Sequence, residues 1–303
     1  MFHLGDLAPA QEYSERGIPF YNPQQHRSHA FLNSPHDPGV LSLAYLAWTL
    51  SYLGYSDQAQ QRISAALTLA QELSHPLSLA VALTFSALLH QYRRERQAAQ
   101  EQAEALIALC TNQGFPYWLT PGIIIRGWTL ADQGQETEGI AQIRQGLAVL
   151  PTTGTELDRP YFFTLLAAAY GKGGQAEQGL SVLAEALVMV DKTRERVYEA
   201  ELYRLKGELS LQLTPVTAGQ DQSAARSLEE EAEECFHQAI TIARRQSAKS
   251  LELRAVMSLS RLWQQQGKKQ EAHALLAEIY DWFTEGFDTK DLQEAKALLA
   301  KLP

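Results

Sequence analysis

The sequence predicts an all-α fold, a solenoid of antiparallel helix pairs that repeat about every 40 residues. Three columns of residues carry that expectation. Small residues recur at Ala47, Ser86, Gly127, Ala167, Gly207 and Ser260, spaced by 39, 41, 40, 40 and 53 positions. A second column, Ala66, Ala105, Gly146, Ala186 and Ala239, keeps step at 39, 41, 40 and 53. Gly54, Gly134, Gly174 and Gly267 then follow members of the first column, where a residue able to turn left-handed ends a helix at little cost. Small side chains in two such columns let paired backbones approach closely. One pair cannot bury its apolar face alone, so the pairs are expected to stack.

Leu4-Gly5 followed by Ala10, Ser14 and Gly17 has the pattern of a turn and a second helix. Residues 1–37 are therefore expected to hold a partial repeat and an irregular stretch, as if the chain began inside a repeat. His36-Asp37-Pro38 signals a helix start, with Asp as the cap and Pro in the first turn. Full repeats are expected over 38–76, 77–115, 116–156, 157–196, 197–249 and 250–287. Pro38, Pro76, Pro121, Pro151 and Pro160 are expected between units, because proline interrupts helix interiors. Each second helix opens with a small residue and a larger one four further on. These pairs are Ala59 with Ile63, Gly139 with Ile143, Gly179 with Leu183, Ala232 with Phe236 and Ala272 with Leu276.

Two repeats depart from the pattern. Arg93 replaces glycine in the second pair, which predicts a different turn there, with Arg93, Arg94 and Arg96 solvated in it. The fifth pair carries about 13 extra residues, so 214–227 (TPVTAGQDQSAARS) reads as an extended mobile loop. The acidic run Glu229, Glu230, Glu231, Glu233 and Glu234 is then expected to open the next helix, where the helix dipole favours negative charge. Residues 288–303, with Leu292, Ala295, Leu298, Leu299 and Leu302 on one stripe, are expected to form a capping helix.

Composition narrows the function. A net charge of −9 and a pI near 5.4 disfavour nucleic acid as a partner. No apolar run is long enough to span a bilayer and Met1-Phe2-His3 opens no secretory signal, so the expected setting is cytoplasmic, without a membrane partner. Cys110 and Cys235 lie far apart inside helical patterns and are expected to be buried free thiols, with no metal site.

The stretches GVLSLAYLAWTLSYLGYSDQAQQRISAALTLAQELSHP, GWTLADQGQETEGIAQIRQGLAVL, ELYRLKGEL and FTEGFDTKDLQEAK resemble the tetratricopeptide (TPR) superfamily. More narrowly, they are similar to the C-terminal TPR-like region of bacterial signalling proteins that join a class III adenylate/guanylate cyclase domain to an AAA-type, STAND-like ATPase. The resemblance runs nearly end to end. It implies a right-handed TPR-like α-solenoid acting as a regulatory or sensor arm. It brings no cyclase or ATPase activity, since no phosphate-binding G-x-x-x-x-G-K-[ST] loop is present and Gly171-Lys172-Gly173-Gly174 has the wrong spacing.

No HExxH, GxSxG, CxxC or EF-hand pattern occurs, so neither catalysis nor a cofactor is expected. Binding is expected instead on the concave face lined by the first helices. Its candidate residues are Tyr45, Trp48, Tyr52, Leu83, His90, Trp128 and Tyr161 in the first half, and Arg204, Glu208, Arg254 and Arg261 in the second. Trp48 and Trp128 share a column with Ala87 between them, which predicts a recess walled by two indoles. The expected function is a protein-interaction scaffold whose partner is a protein or peptide segment, including another domain of the parent protein. The alternative is a small-molecule sensor with its ligand in the aromatic half.

Overall fold

The structure is a computed structural model that describes residues 1–22, 35–150, 157–213 and 222–302. Among the described residues there are fourteen α-helices and no strand. The chain falls into two compact units, Met1–Phe2 with Leu7–Glu156, and His3–Asp6 with Leu157–Pro303, within the single array that the sequence suggests over 1–303 as an expectation. In the first unit α1 (Leu7–Gly17) precedes three helix pairs: α2 (Pro38–Leu53) with α3 (Ser56–Leu73), α4 (Pro76–Tyr92) with α5 (Arg96–Gln113), and α6 (Pro116–Asp132) with α7 (Glu136–Val149). The second unit pairs α8 (Arg159–Lys172) with α9 (Ala176–Thr193), α10 (Glu199–Gln212) with α11 (Gln222–Arg245), and α12 (Lys249–Gln265) with α13 (Lys269–Tyr280), and ends in α14 (Lys290–Leu299).

First and second helices differ in how they are buried. In α2, eleven of 16 residues are buried, on all sides, because a first helix is covered by its own partner and by the next pair. In α3 only Ala59, Ile63, Ala66 and Ala70 are buried, one stripe at spacings of 4, 3 and 4. In the pair α6 with α7 the backbones approach closely. A Cβ on Gly139 would lie 2.5 Å from the Gly127 carbonyl oxygen, and one on Gly127 would lie 2.8 Å from the Gly139 oxygen.

The repeat is more regular than the columns of small residues suggest. Second helices start at Ser56, Arg96, Glu136 and Ala176, each 40 residues after the last. Arg94, at φ +62°, takes the left-handed place of glycine in the second pair, so the turn expected to differ is the same as its successors. Arg94 N–H donates to Gln91 O at 2.9 Å and Glu95 N–H to His90 O at 2.8 Å. The third pair matches this with Gly134 to Ala131 at 3.3 Å and Gln135 to Leu130 at 3.0 Å. It is the first pair that departs, since Gly54 and Tyr55 both donate to Leu50 O. The register mates in the second pair are therefore Ala87 and Leu106, rather than Ser86 and Ala105. Leu106 is fully buried while Ala105 is exposed, and Ala103 stands where Ile63 and Ile143 stand, so large and small residues have exchanged places one turn apart.

Three further expectations are corrected. Pro121 lies inside α6 and Pro116 begins that helix, while Pro38, Pro76 and Pro160 sit in first turns, where the missing N–H costs nothing. Pro151 lies outside the described residues. The loop expected over 214–227 is helical from Gln222 onward, and 214–221 lies outside the described residues. The acidic run therefore falls two turns inside α11, and partners across the fold replace the helix dipole as its stabiliser. Lys206 Nζ is 3.1 Å from Glu231, Lys268 Nζ is 3.5 Å from Glu233, and Trp263 Nε1 donates to Glu233 at 2.7 Å.

The final helix α14 packs on α12 and α13 through Leu292, Ala295 and Leu298, with Leu302 also buried. It begins 41 residues after α12 begins and so takes the place of a further first helix. At the other end, Gly5 adopts φ +83° before α1, and α1 packs on α2 through Leu7 and Ala10.

Candidate functional site

In the first unit, the 40-residue register brings Trp48, Leu88 and Trp128 to equivalent places on successive first helices. All three are buried, at 2%, 4% and 8% exposure. Leu88, and not Ala87, stands between the indoles, so the recess expected there is filled. The neighbouring rings close the face further. Tyr52 stacks on Tyr92 at 4.8 Å, Trp48 meets both edge-on at 5.3 and 5.6 Å, and Tyr45 tilts against Phe85 at 4.8 Å. Large rings one helix apart and one turn apart satisfy one another before any ligand arrives. Trp48, Tyr52 and Trp128 are packing residues, and Leu83 is buried with Ala80, Leu106 and Cys110.

Tyr45 and His90 keep partial exposure. His90 Nδ1 lies 2.6 Å from Glu95 Oε2, and Arg93 Nε donates to the other carboxylate oxygen at 2.7 Å. Arg93 also reaches back to the Ser56 carbonyl at 3.2 Å and to the Ser56 hydroxyl, tying the two turns together. Burial pushes the Glu95 pKa up, but His90 and Arg93 together outweigh it and hold the carboxyl below its ordinary value. Arg93, expected to be solvated, is buried in this network.

In the second unit, Tyr161 is buried against Phe162 and Tyr198, with ring centroids 5.6 and 5.5 Å away. The other four candidates form a chain of ion pairs over α10, α12 and α14. Arg204 donates to Glu201 at 2.8 and 2.7 Å and lies 2.5 Å from Glu208. The Ser258 hydroxyl donates to Glu208 at 2.8 Å, which joins α10 to α12. Arg254 Nε donates to Asp291 at 2.6 Å and Arg261 Nη2 to Glu294 at 3.2 Å, which joins α12 to α14. Within these pairs the Arg204 and Arg254 side chains are 13% and 14% exposed, whereas Glu208 and Arg261 reach 36% and 43%.

Fixed charge, rather than acid–base chemistry, is what this arrangement supplies. Burial opposes the charge on Arg204, yet Glu201 and Glu208 outweigh it and raise its pKa. Burial likewise pushes Glu208 up, but Arg204, the Ser258 hydroxyl and Arg261 hold it below its ordinary value. Neither group is poised to exchange a proton near neutrality, as a general acid or base must be. Planar guanidinium groups instead offer forked donors to carboxylates or carbonyls.

The remaining polar chemistry is sparse. Cys110 and Cys235 are free and buried, and burial pushes the Cys110 thiol up to about 11 and the Cys235 thiol up as well, which keeps them inert. Among the described residues no group of three or more His, Cys, Asp or Glu is placed to hold a metal ion. No described helix is long and apolar enough to cross a membrane.

Two features had no signal in the sequence. A cavity of about 370 Å³ in the first unit is lined by Ile18, Phe20, Tyr21, Pro38, Gly39 and Leu43, among others. Tyr21 donates to Asp37 at 2.7 Å beside it, and its ring lies where a Cβ on residue 39 would fall, so only glycine fits at Gly39. Phe2, at the other end of α2, is buried between Tyr45 and Tyr52. Single aromatics outside any periodic pattern give a reader of the sequence nothing to align.

These pairs, turns and columns define a TPR-like helical-repeat protein. A Rap protein solved with competence and sporulation factor superposes with a TM-score of 0.62 at 15% identity, over 98% of this chain and 80% of that one. The apo form of RapI gives 0.51 at 11% identity, over 86% and 84%. A Pyrococcus horikoshii signal transduction ATPase with numerous domains (STAND) and a tetratricopeptide repeat sensor gives 0.45 at 13% identity, over 95% and 41%. No family model matches the sequence. No curated protein matches it either. At these identities the likeness is one of fold.

Proposed function

We propose that the chain is a non-catalytic interaction scaffold that holds a segment of another protein, or of another domain of a longer parent, on its first-helix face. The observation that carries this reading is the ion-pair chain over α10, α12 and α14, which presents Glu208 and Arg261 partly exposed on consecutive first helices. Such a face recognises backbone and side-chain polar groups by exchanging its own pairs for intermolecular ones. The Rap protein solved with competence and sporulation factor, a neighbour in fold, supports this reading. The sequence resemblance to cyclase and STAND-like ATPase proteins makes a regulatory or sensor arm the natural setting. Free buried thiols suit the reducing cytoplasm.

A photocrosslinker placed at Arg261 is expected to capture a protein partner from cells, while one at the exposed Glu271 on second helix α13 captures none. Equal capture at both positions, or none at either, contradicts the reading. A second reading, a small-molecule site at the cavity beside Ile18 and Phe20 rather than in the aromatic half of the groove, draws its support from a volume in the range of ligand sites. A metabolite at 100 times its dissociation constant should stabilise the chain by about 2.7 kcal/mol in a thermal-shift screen, and a flat screen removes that alternative.

A further inference from the structure

Glu208 has one oxygen in use and one free. Its Oε1 lies 2.5 Å from Arg204 Nη1 and accepts from the Ser258 hydroxyl at 2.8 Å, while Oε2 receives no hydrogen bond from any described residue. The side chain is 36% exposed, yet burial is the largest single influence on its ionisation. Both hold for a group at the floor of a concavity, surrounded by protein and still open to solvent. Arg204, the Ser258 hydroxyl and Arg261 together keep the carboxyl ionised against that burial.

The carboxylate is also held still. Arg204 donates to both oxygens of Glu201, at 2.8 and 2.7 Å, so the guanidinium that grips Oε1 is itself fixed. Ser258 grips the same oxygen from a second helix, α12. A carboxylate immobilised through one oxygen presents the other with little further loss of side-chain freedom, which favours binding. Arg261, the next cation along this face, is engaged with Glu294 at 3.2 Å. Glu201, Glu208, Asp291 and Glu294 outnumber Arg204, Arg254 and Arg261 on a chain of net charge −9, so the free oxygen attracts positive charge.

We propose that Oε2 of Glu208 anchors a basic side chain, arginine or lysine, of the partner segment. The proposal rests on the reading of the first-helix face as the surface that holds such a segment, and it adds the charge of what is held. Because Oε2 is free, the incoming cation forms a charge-assisted hydrogen bond without breaking the pairs of Arg204 or stranding a buried donor. A neutral or acidic side chain at the same place gains no such bond.

The test uses the full chain and two end-blocked probes, a hexa-arginine and a hexa-aspartate peptide. Any basic peptide is drawn to an acidic chain, so Glu208→Gln is compared with Glu271→Gln, which removes the same charge from an exposed position on α13. By titration calorimetry at physiological ionic strength, Glu208→Gln is expected to weaken hexa-arginine binding by about fivefold or more, Glu271→Gln by less than about twofold, and hexa-aspartate is expected to bind none of the proteins. Equal losses in the two variants, no loss in Glu208→Gln, or no binding of hexa-arginine overturns the proposal. If Glu208→Gln does not fold, carbodiimide labelling of the unaltered chain reads the same contact. Hexa-arginine should then slow modification of Glu208 by about fivefold and leave Glu271 unchanged, and equal slowing at both or none at Glu208 again overturns the proposal. Crosslinking at Arg261 reads the scaffold function separately. A partner captured there while the two variants bind hexa-arginine alike leaves the scaffold standing without this anchor, and discrimination without capture leaves the anchor without the scaffold.

Discussion

The first helices of the two units carry the same register and opposite chemistry. Where the first unit places Trp48, Leu88 and Trp128, the second places Ala168, Glu208 and Arg261. The first column is buried, whereas in the second Glu208 pairs with Arg204 one turn away and Arg261 with Glu294 on another helix, both partly exposed. One backbone repeat thus supports both a closed face and an open one. What differs is whether the side chains satisfy one another through dispersion and burial, or through hydrogen bonds that solvent and a partner can also supply.

The largest expected effect comes from breaking the closed face. Trp48→Ala should destabilise the chain by about 3–5 kcal/mol in urea unfolding, as truncation of a buried aromatic does. Arg261→Ala in the equivalent column should cost no more than about 1 kcal/mol, because its partner Glu294 is accessible to water. Similar costs for both would erase the distinction between the faces. The contact beneath the closed face is tested by Gly139→Ala, where the added methyl meets a backbone carbonyl that cannot rotate away. A loss of about 1–3 kcal/mol is expected, and a neutral result means the helices sit further apart than described.

Acid should act on the open face through Glu208. Its folded pKa lies below the ordinary 4.5, so its contribution is whole above that value and is lost as pH falls through the lowered folded value. Glu208→Gln is expected to flatten the fall in stability below pH 4.5 that the unaltered chain shows in urea titrations at stepped pH. An unchanged slope means that Glu208 is not the group involved. The smallest effect concerns register. Arg94→Gly should stabilise the chain by about 0.5–1 kcal/mol, since arginine is strained at a positive φ that glycine adopts freely. A destabilised Arg94→Gly would mean that the Arg94 side-chain interactions outweigh the backbone strain.

The fold was legible because close helix packing leaves a mark in sequence: Ala47, Gly127, Ala167 and Gly207 must be small wherever they occur. The register slipped by one residue in the second pair for the complementary reason. Arg94 can take a left-handed turn without being glycine, and Ala103 with Leu106 preserves the volume that Ile63 with Ala66 supplies in the first pair. The start of α11 was missed because QSAARS is small and polar, which suits a loop as well as the first turns of a helix. The site was less legible than the fold. Periodicity put Trp48 and Trp128 on one face, but whether that face is open depends on Leu88, Tyr92 and Phe2, residues that reach it from other elements. The charges at Arg204, Glu208, Arg254 and Arg261 were legible as a group, whereas their partners Glu201, Ser258, Asp291 and Glu294 required the register between helices.

The difference between the two faces is tested most directly by tryptophan oxidation in the native chain, read residue by residue by mass spectrometry. Trp48 and Trp128 are buried, while Trp118, Trp263 and Trp282 are half-buried. Slow oxidation of Trp48 and Trp128 relative to the other three is the result expected of a closed aromatic face. Trp48 and Trp128 reacting as fast as Trp263 and Trp282 would show an open recess and contradict the account.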